Sequence, residues 1–167
     1  RGARGRRTRG QALRPMTLTA IWSRVGSMRR YEQVLLLSWV FITGASLGTL
    51  VLSEVLGLVP CELCWYQRGL LYPQIFIVGA ALLLQAVWVA ALAIPFSAAG
   101  LGVASYHSWL QLQPNPGDAC TVGNPCSEVT FEVAGVSIPN LSLATFAIVL
   151  VLLVVVVGSR YQWFWGD

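Results

Sequence analysis

The residues able to do covalent chemistry are four cysteines, Cys61, Cys64, Cys120 and Cys126. They form two pairs, Cys61-x-x-Cys64 and Cys120-x₅-Cys126. Three chemistries are open to them. Two structural disulfides are the first, although C-x-x-C closes a very short loop and gains little entropic stabilisation. A zinc site of four thiolates is the second, but the later spacing departs from the usual C-x₂₋₄-C and an oxidising compartment disfavours free thiolates. Thiol–disulfide exchange is the third, because C-x-x-C lowers one thiol pKa and makes the disulfide labile. Two exchangeable pairs would act as a relay, electrons entering at one and leaving at the other. The chain has one histidine, no Cys-x-x-Cys-His haem motif and no Gly-rich dinucleotide fingerprint. The expectation is no metal and, by elimination, a lipophilic electron acceptor such as quinone.

Such a relay needs elements that hold the pairs at a membrane surface. Of the 167 residues 56% are hydrophobic and 11% charged, against about 25% charged in an ordinary soluble domain. That argues against a soluble globular enzyme and against a disordered chain. Nine of the eleven arginines lie in residues 1–30, where there is no acid. A basic tail of this kind can bind nucleic acid. It is read more simply as a topogenic signal that stays cytoplasmic next to an apolar run, with no nucleic-acid partner. The chain begins at Arg1, and Met16 and Met28 are candidate starts.

The apolar runs predict four spans after this tail (residues 1–30), at about 34–56, 66–84, 90–111 and 139–158, within a membrane domain of residues 31–167. The first run is too long for a signal-peptide core. The stretch from Gly69 to Leu112 is long enough for two spans, with a bend placed near 84–90 by Gln85. Residues 113–138 are rich in Pro and Gly and predict a loop. The last run ends in Arg160, Tyr161, Trp163, Phe164 and Trp165, an interfacial anchor. The expected fold is all-α, an integral membrane four-helix bundle embedded in lipid. Both termini are expected in the cytoplasm, and both cysteine-bearing loops are expected outside it, in an oxidising space. Cys64 then sits at the mouth of a helix whose N-terminus can stabilise a thiolate there.

The run Cys61-Glu62-Leu63-Cys64-Trp65-Tyr66-Gln67-Arg68 resembles the signature loop of the disulfide bond formation protein B family, DsbB, above all its BdbC-type branch. Ser53-Glu54-Val55, Tyr72-Pro73, Tyr106-His107, Leu110-Gln111, Pro125-Cys126-Ser127, Gly135, Ile138-Pro139 and Leu141 to Phe146 extend the likeness over residues 31–158. The resemblance implies a bacterial plasma-membrane, quinone-dependent protein-disulfide oxidoreductase. It would reoxidise a DsbA-like (BdbD-like) thioredoxin-fold partner and pass the electrons to ubiquinone or menaquinone. It further implies that the partner's thiolate attacks Cys120, that Cys126 then exchanges with Cys61, and that Cys64 faces the quinone as thiolate donor. Arg68, one turn beyond Cys64 on the same face, would assist quinone binding.

Physical chemistry supports a special task for Arg68, since a cation at a helix N-terminus opposes the dipole and is costly near lipid. The bland alternative is an arginine that snorkels to the interface. His107, near the outer end of the third span, is a candidate proton donor or hydrogen-bond partner to quinone. The plainer alternative is an interfacial histidine bonded to backbone or water. Gln67 is a further cofactor-binding candidate, Glu54 a weaker one, and Trp65, Trp109 and Tyr72 are candidate pocket walls. The short Cys120–Cys126 spacing limits reach towards Cys61, unless Val129 to Ile138 lies on the membrane surface and allows movement. Alternative functions are a vitamin K epoxide reductase-like quinone reductase and a disulfide-stapled membrane subunit without turnover. A paralogue running electrons outward and a metal transporter are weaker ones.

Overall fold

A computed structural model describes residues 29–113, 126, 132–133 and 135–165, with side chains up to Ser159. The basic tail, Cys120, most of the second cysteine loop and the terminal aromatic side chains lie outside the described residues. Helix α1 is Arg30–Leu50 and runs on into a π-helical turn, Val51–Val55. The backbone N–H of Arg29 donates to the Glu32 carboxylate at 3.1 Å, so one orphan donor of the first turn is satisfied. Helix α2 is Glu62–Leu83, with Cys61 as its extended N-cap residue. The chain reverses at Leu84–Ala86, where Gln85 takes a positive φ of 52°. A short helix α3, Val87–Ala91, leads into α4, Ile94–Leu110, which carries a proline in its first turn. Glu132–Val133 and Val136–Ser137 form a small antiparallel hairpin, β1 and β2, around Gly135 at φ 78°. Helix α5, Ile138–Trp165, completes the chain. The hairpin is the one departure among the described residues from an all-α expectation, and two-residue strands leave no periodicity to find.

The four long helices, α1, α2, α4 and α5, pack side by side, most heavily α4 against α5. Among the described residues, three segments are long and apolar enough to cross a membrane: Arg30–Val55, Val87–Leu110 and Ile138–Ser159, with mean hydropathies of 2.0, 1.9 and 3.0. Helix α2 falls short by composition because Gln67, Arg68 and Gln74 stand in it. Two of those three are directed inward: Gln67 and Gln74 are buried. The bundle is therefore polar within and apolar without. Ser38, Ser46, Gln74 and Ser97 are buried, whereas Phe76 and Leu83 are 76% and 87% exposed. This is the arrangement expected where the surroundings are hydrocarbon and helices associate through small residues and hydrogen bonds. The chain is an integral membrane helical bundle.

Buried Phe146, Val149, Leu153 and Val156 recur along α5 at helical spacing and meet Leu35, Ile42, Leu71 and Val78. Ser97 Oγ donates to Gln74 Oε1 at 2.7 Å, and Gln74 Nε2 donates to the Leu70 carbonyl at 2.9 Å. Each such bond contributes about 0.6 kcal/mol in a membrane bundle. Trp39 Nε1 donates to the Ile75 carbonyl at 3.0 Å and lies over Gly79, where a side chain would crowd it. At Gly100 the fit is tighter, since an added Cβ would overlap the ring of Phe146. Replacing Gly100 with alanine is expected to cost about 1–3 kcal/mol of stability through overpacking. Unfolding in detergent micelles measures this, and Phe146→Leu in the same chain should recover part of the loss. Strictly additive losses would show that the two sites do not press on each other.

Candidate functional site

The site forms where the N-terminus of α2 meets the C-terminal end of α4 and the π turn after α1. Cys61 caps α2 and Cys64 stands in its first turn, so the C-x-x-C geometry follows from starting a helix between the two residues. Cys61 is 6% exposed and Cys64 half-buried, and both are free thiols with their sulfurs 2.9 Å apart. On α4, His107 is 3% exposed. Its Nε2 lies 3.7 Å from Cys61 Sγ, and its Nδ1 lies 3.2 Å from Gln67 Nε2. If the Gln67 amide donates to Nδ1, the proton of the neutral ring belongs on Nε2, facing the sulfur. Gln67 thus orients the histidine, and the histidine turns a donor towards Cys61.

These contacts distinguish the two thiols. Cys61 is pulled down from the ordinary thiol value to about 4, first by the Cys64 thiol donating to it and then by His107, against the opposing effect of burial. Cys64 is pushed up, because the charged Cys61 sulfur is its hydrogen-bond partner and because it too is desolvated. Arg68 acts in the other direction and favours a Cys64 thiolate. In the reduced pair the Cys64 hydrogen bond and then His107 favour the thiolate on Cys61, while Arg68 favours it on Cys64. The histidine contact comes from a distant helix and cannot be read from local spacing.

Arg68 is half-buried. Its guanidinium donates to the Thr49 carbonyl at 2.9 Å and to Ser53 Oγ, and it lies 5.6 Å from the centre of the Trp65 ring. Thr49 Oγ1 also pairs with the Tyr72 hydroxyl at 3.0 Å. Arg68 is anchored to the end of α1 and to the π turn, and does not simply snorkel. Thr49 and Ser53 are site residues that sequence reasoning passed over. Their spacing of four was the available signal, hidden because hydroxyls in apolar helices commonly bond their own preceding turn.

These groups open on one cavity of about 490 Å³. Cys64, Gln67, Arg68 and Leu71 line it from α2 at helical spacing, with Cys61 and His107 beside them and Phe146 on the far wall. Cavities of this size take ligands as large as a quinone head group. The candidate aromatic walls are elsewhere. Trp109 stacks on Tyr106 at 5.9 Å, Tyr72 bonds Thr49, Trp65 is exposed, and none of the three lines the cavity. Glu54 is exposed in the π turn and does not line it either.

Cys126 is buried, held in a disulfide, and packed in one apolar cluster with Cys61 and Leu110. A zinc site of four thiolates is not what this arrangement builds, since Cys126 is no free thiol. Cys126 thus shares a cluster with Cys61 despite the short loop. Ser137 of β2 donates to Gln111 at the end of α4 at 2.8 Å, which ties the hairpin to the same end of the bundle.

The charge difference between the two thiols is directly measurable. With Cys61 and Cys64 reduced, site-resolved alkylation of Cys61 should be nearly flat between about pH 6 and 8, because thiolate fraction sets the rate. It should fall only as the pH approaches the value of about 4. Cys64 should react only in alkali, and His107→Ala should move the Cys61 midpoint upward. A Cys61 rate that climbs about tenfold per pH unit between pH 6 and 8 would place the charge elsewhere.

Comparison with known proteins agrees with this geometry. Residues 31–156 match the family described as Disulfide bond formation protein DsbB. The chain is 38% identical over 128 residues to a "Probable disulfide formation protein" of Oceanobacillus iheyensis, covering 74% of this chain and 88% of that protein. It is 33% identical over 128 residues to "Disulfide bond formation protein C" of Bacillus subtilis, covering 75% and 93%. A "Probable disulfide formation protein" of Metapseudomonas resinovorans is 34% identical over 127 residues, covering 74% and 88%. No solved structure matches. The free Cys61–Cys64 pair, the buried Cys126 beside it and these relatives together make the chain a membrane oxidoreductase of disulfide bond formation, a member of the DsbB family.

Proposed function

We propose that the protein reoxidises a DsbA-like, thioredoxin-fold dithiol protein outside the cytoplasm and delivers the electrons to a quinone, ubiquinone or menaquinone, held in the cavity. The observation that carries this reading is the convergence of Cys61, Cys64, Arg68 and His107 on one apolar cavity. Residues 66–84, which α2 and its C-cap Leu84 cover, complete a four-span topology with both termini in the cytoplasm, which sets both cysteine loops outside. In this reading Cys126 shares its disulfide with Cys120.

The residues fit a quinone. Arg68 offers N–H donors to a carbonyl oxygen, Leu71 and Phe146 offer apolar surface, and Gln67 and His107 complete the polar edge. A bound quinone would accept two electrons and two protons. Everything else falls to the chain. The partner's thiolate attacks Cys120 and breaks the Cys120–Cys126 bond, which leaves Cys126 as a thiolate. Cys126 then attacks Cys61, forms a Cys61–Cys126 bond and breaks Cys61–Cys64, so that Cys64 leaves as the thiolate. The partner's second thiol displaces Cys120, and the partner departs oxidised.

Cys64 now has a changed environment. The main cause of its raised pKa is the Cys61 thiolate. Once Cys61 is bonded to Cys126, that cause is gone, and Arg68 is left to favour a Cys64 thiolate against the remaining cost of desolvation. Cys61 therefore carries the charge in the fully reduced pair, and Cys64 carries it in the exchange intermediate. Cys120 then attacks the Cys126 sulfur and expels Cys61 as a thiolate, which re-forms Cys120–Cys126, and the Cys61–Cys64 bond closes as the sulfur pair loses two electrons, for which a bound quinone would be the acceptor. Both disulfides are restored and two electrons have left. His107 Nε2–H lies beside the sulfurs and is placed to supply one of the protons.

Anaerobic thiol counting tests the reading. Fully reduced protein given ubiquinone or menaquinone should pass from four free thiols to none, and Cys64→Ser should stop it. Thiols that stay free with either quinone would reject the relay in favour of a disulfide-stapled subunit. Arg68→Ala should raise the quinone KM by about tenfold, equivalent to about 1.4 kcal/mol, with a smaller change in kcat. An unchanged KM would remove Arg68 from the acceptor site.

A further inference from the structure

Three soft donors meet at the mouth of the cavity, although disulfide exchange needs only two of them. The sulfurs of Cys61 and Cys64 and a ring nitrogen of His107 lie within 4.8 Å of one another. We propose that the reduced Cys61–Cys64 pair and His107 Nε2 form a binding site for a thiophilic divalent cation, with Zn²⁺ as its model ligand, and that occupancy reversibly blocks electron transfer. The binding stands on the geometry alone. The block rests on the function proposed above.

The distances suit such an ion. Zn–S bonds of about 2.3 Å and Zn–N bonds of about 2.0–2.1 Å in a tetrahedron require an S···S separation of about 3.8 Å and an S···N separation of about 3.6 Å. Cys61 Sγ and His107 Nε2 are already 3.7 Å apart. The sulfurs are 2.9 Å apart and must open by about 0.9 Å to reach that tetrahedral separation. Cys64, half-buried in the first turn of α2, can supply that by a small side-chain rotation. The fourth position faces the cavity, as at a zinc site that keeps one place open.

The surroundings also match what a ligating histidine requires. Coordination through Nε2 moves the ring proton to Nδ1, which then needs an acceptor. Gln67 lies 3.2 Å away, and turning its amide over offers Oε1 in place of the NH₂ group. The same glutamine thus serves both tautomers. Thiolates and imidazole together favour zinc or another soft ion over magnesium or calcium. Binding releases the remaining thiol protons and transfers no electrons. When an oxidant removes two electrons and closes the Cys61–Cys64 bond, both thiolates vanish and the ion is released. The site therefore exists only in the reduced enzyme, where an ion on both sulfurs leaves neither free to attack.

Cobalt reports such a site without any turnover. Reduced full-length protein in detergent, without oxygen, should bind one equivalent of Co²⁺ with strong visible absorption and thiolate charge-transfer bands. Zn²⁺ should displace it, and bound Zn²⁺ should protect Cys61 and Cys64 from alkylation. Oxidised protein should bind none. His107→Gln should weaken Zn²⁺ binding by at least about tenfold. No uptake by the reduced protein, protection of Cys120 and Cys126 in place of Cys61 and Cys64, or equal affinity in His107→Gln would overturn the site. Anaerobic quinone reduction with and without Zn²⁺ separates the two ideas. A filled site with undiminished quinone reduction overturns the block. Metal uptake in a protein that reduces no quinone even without metal leaves the site standing and defeats the function.

Discussion

The contact on which the site depends joins two helices through a single histidine. Cys61 caps α2, His107 lies near the end of α4, and Gln67 reaches from α2 to the other side of the same ring. Removing His107 leaves Gln67 without its partner and Cys61 with one fewer donor, inside a bundle where neither can turn to water. A buried polar network of this kind is costly when incomplete. The requirement that it be complete fixes how far α4 can slide or rotate against α2. The Gln74–Ser97 bond repeats the constraint deeper in the bundle, and the contact of Gly100 with Phe146 sets the spacing of α4 from α5.

The cavity follows from how α1 ends. A regular helix would carry the 49–53 hydrogen bond onward, but here the chain widens into a π turn, a feature common near functional sites. The last turn of α1 presents the Thr49 carbonyl and the π turn presents the Ser53 hydroxyl to Arg68. An arginine beside an apolar cavity is tolerable only with such partners. Held this way, it keeps some of its five N–H donors for the cavity while its charge acts on Cys64.

Much of this was legible in the sequence, and the remainder was not for definite reasons. Cys61, Cys64, Gln67 and Arg68 lie within eight residues, so helical spacing alone predicts that three of them share a face. His107 belonged to the resemblance and to the outer end of an apolar run. Its pairing with Gln67 and Cys61 was invisible, because nothing local specifies which helix faces which. The pull of His107 on Cys61 was invisible for the same reason, whereas the helix N-terminus and Arg68 that favour a thiolate at Cys64 were legible. The aromatic residues were ambiguous for a different reason. Tryptophan and tyrosine favour membrane interfaces whether or not a pocket is near, and Trp65 and Trp109 are exposed.

The reduced sulfur pair carries one negative charge, with a proton retained between the sulfurs, and Arg68 carries one positive charge. The mouth of the cavity is therefore nearly neutral as a whole while strongly polarised within. A neutral carrier can enter against an apolar wall and meet a donor at one side and sulfur at the other. An ionic carrier loses its hydration in the same space and must be ligated directly, by the sulfurs and His107 if a cation or by Arg68 if an anion, to offset that loss. Access is thus tuned by charge before shape is tested, and a neutral carrier is the one that enters without needing a ligand.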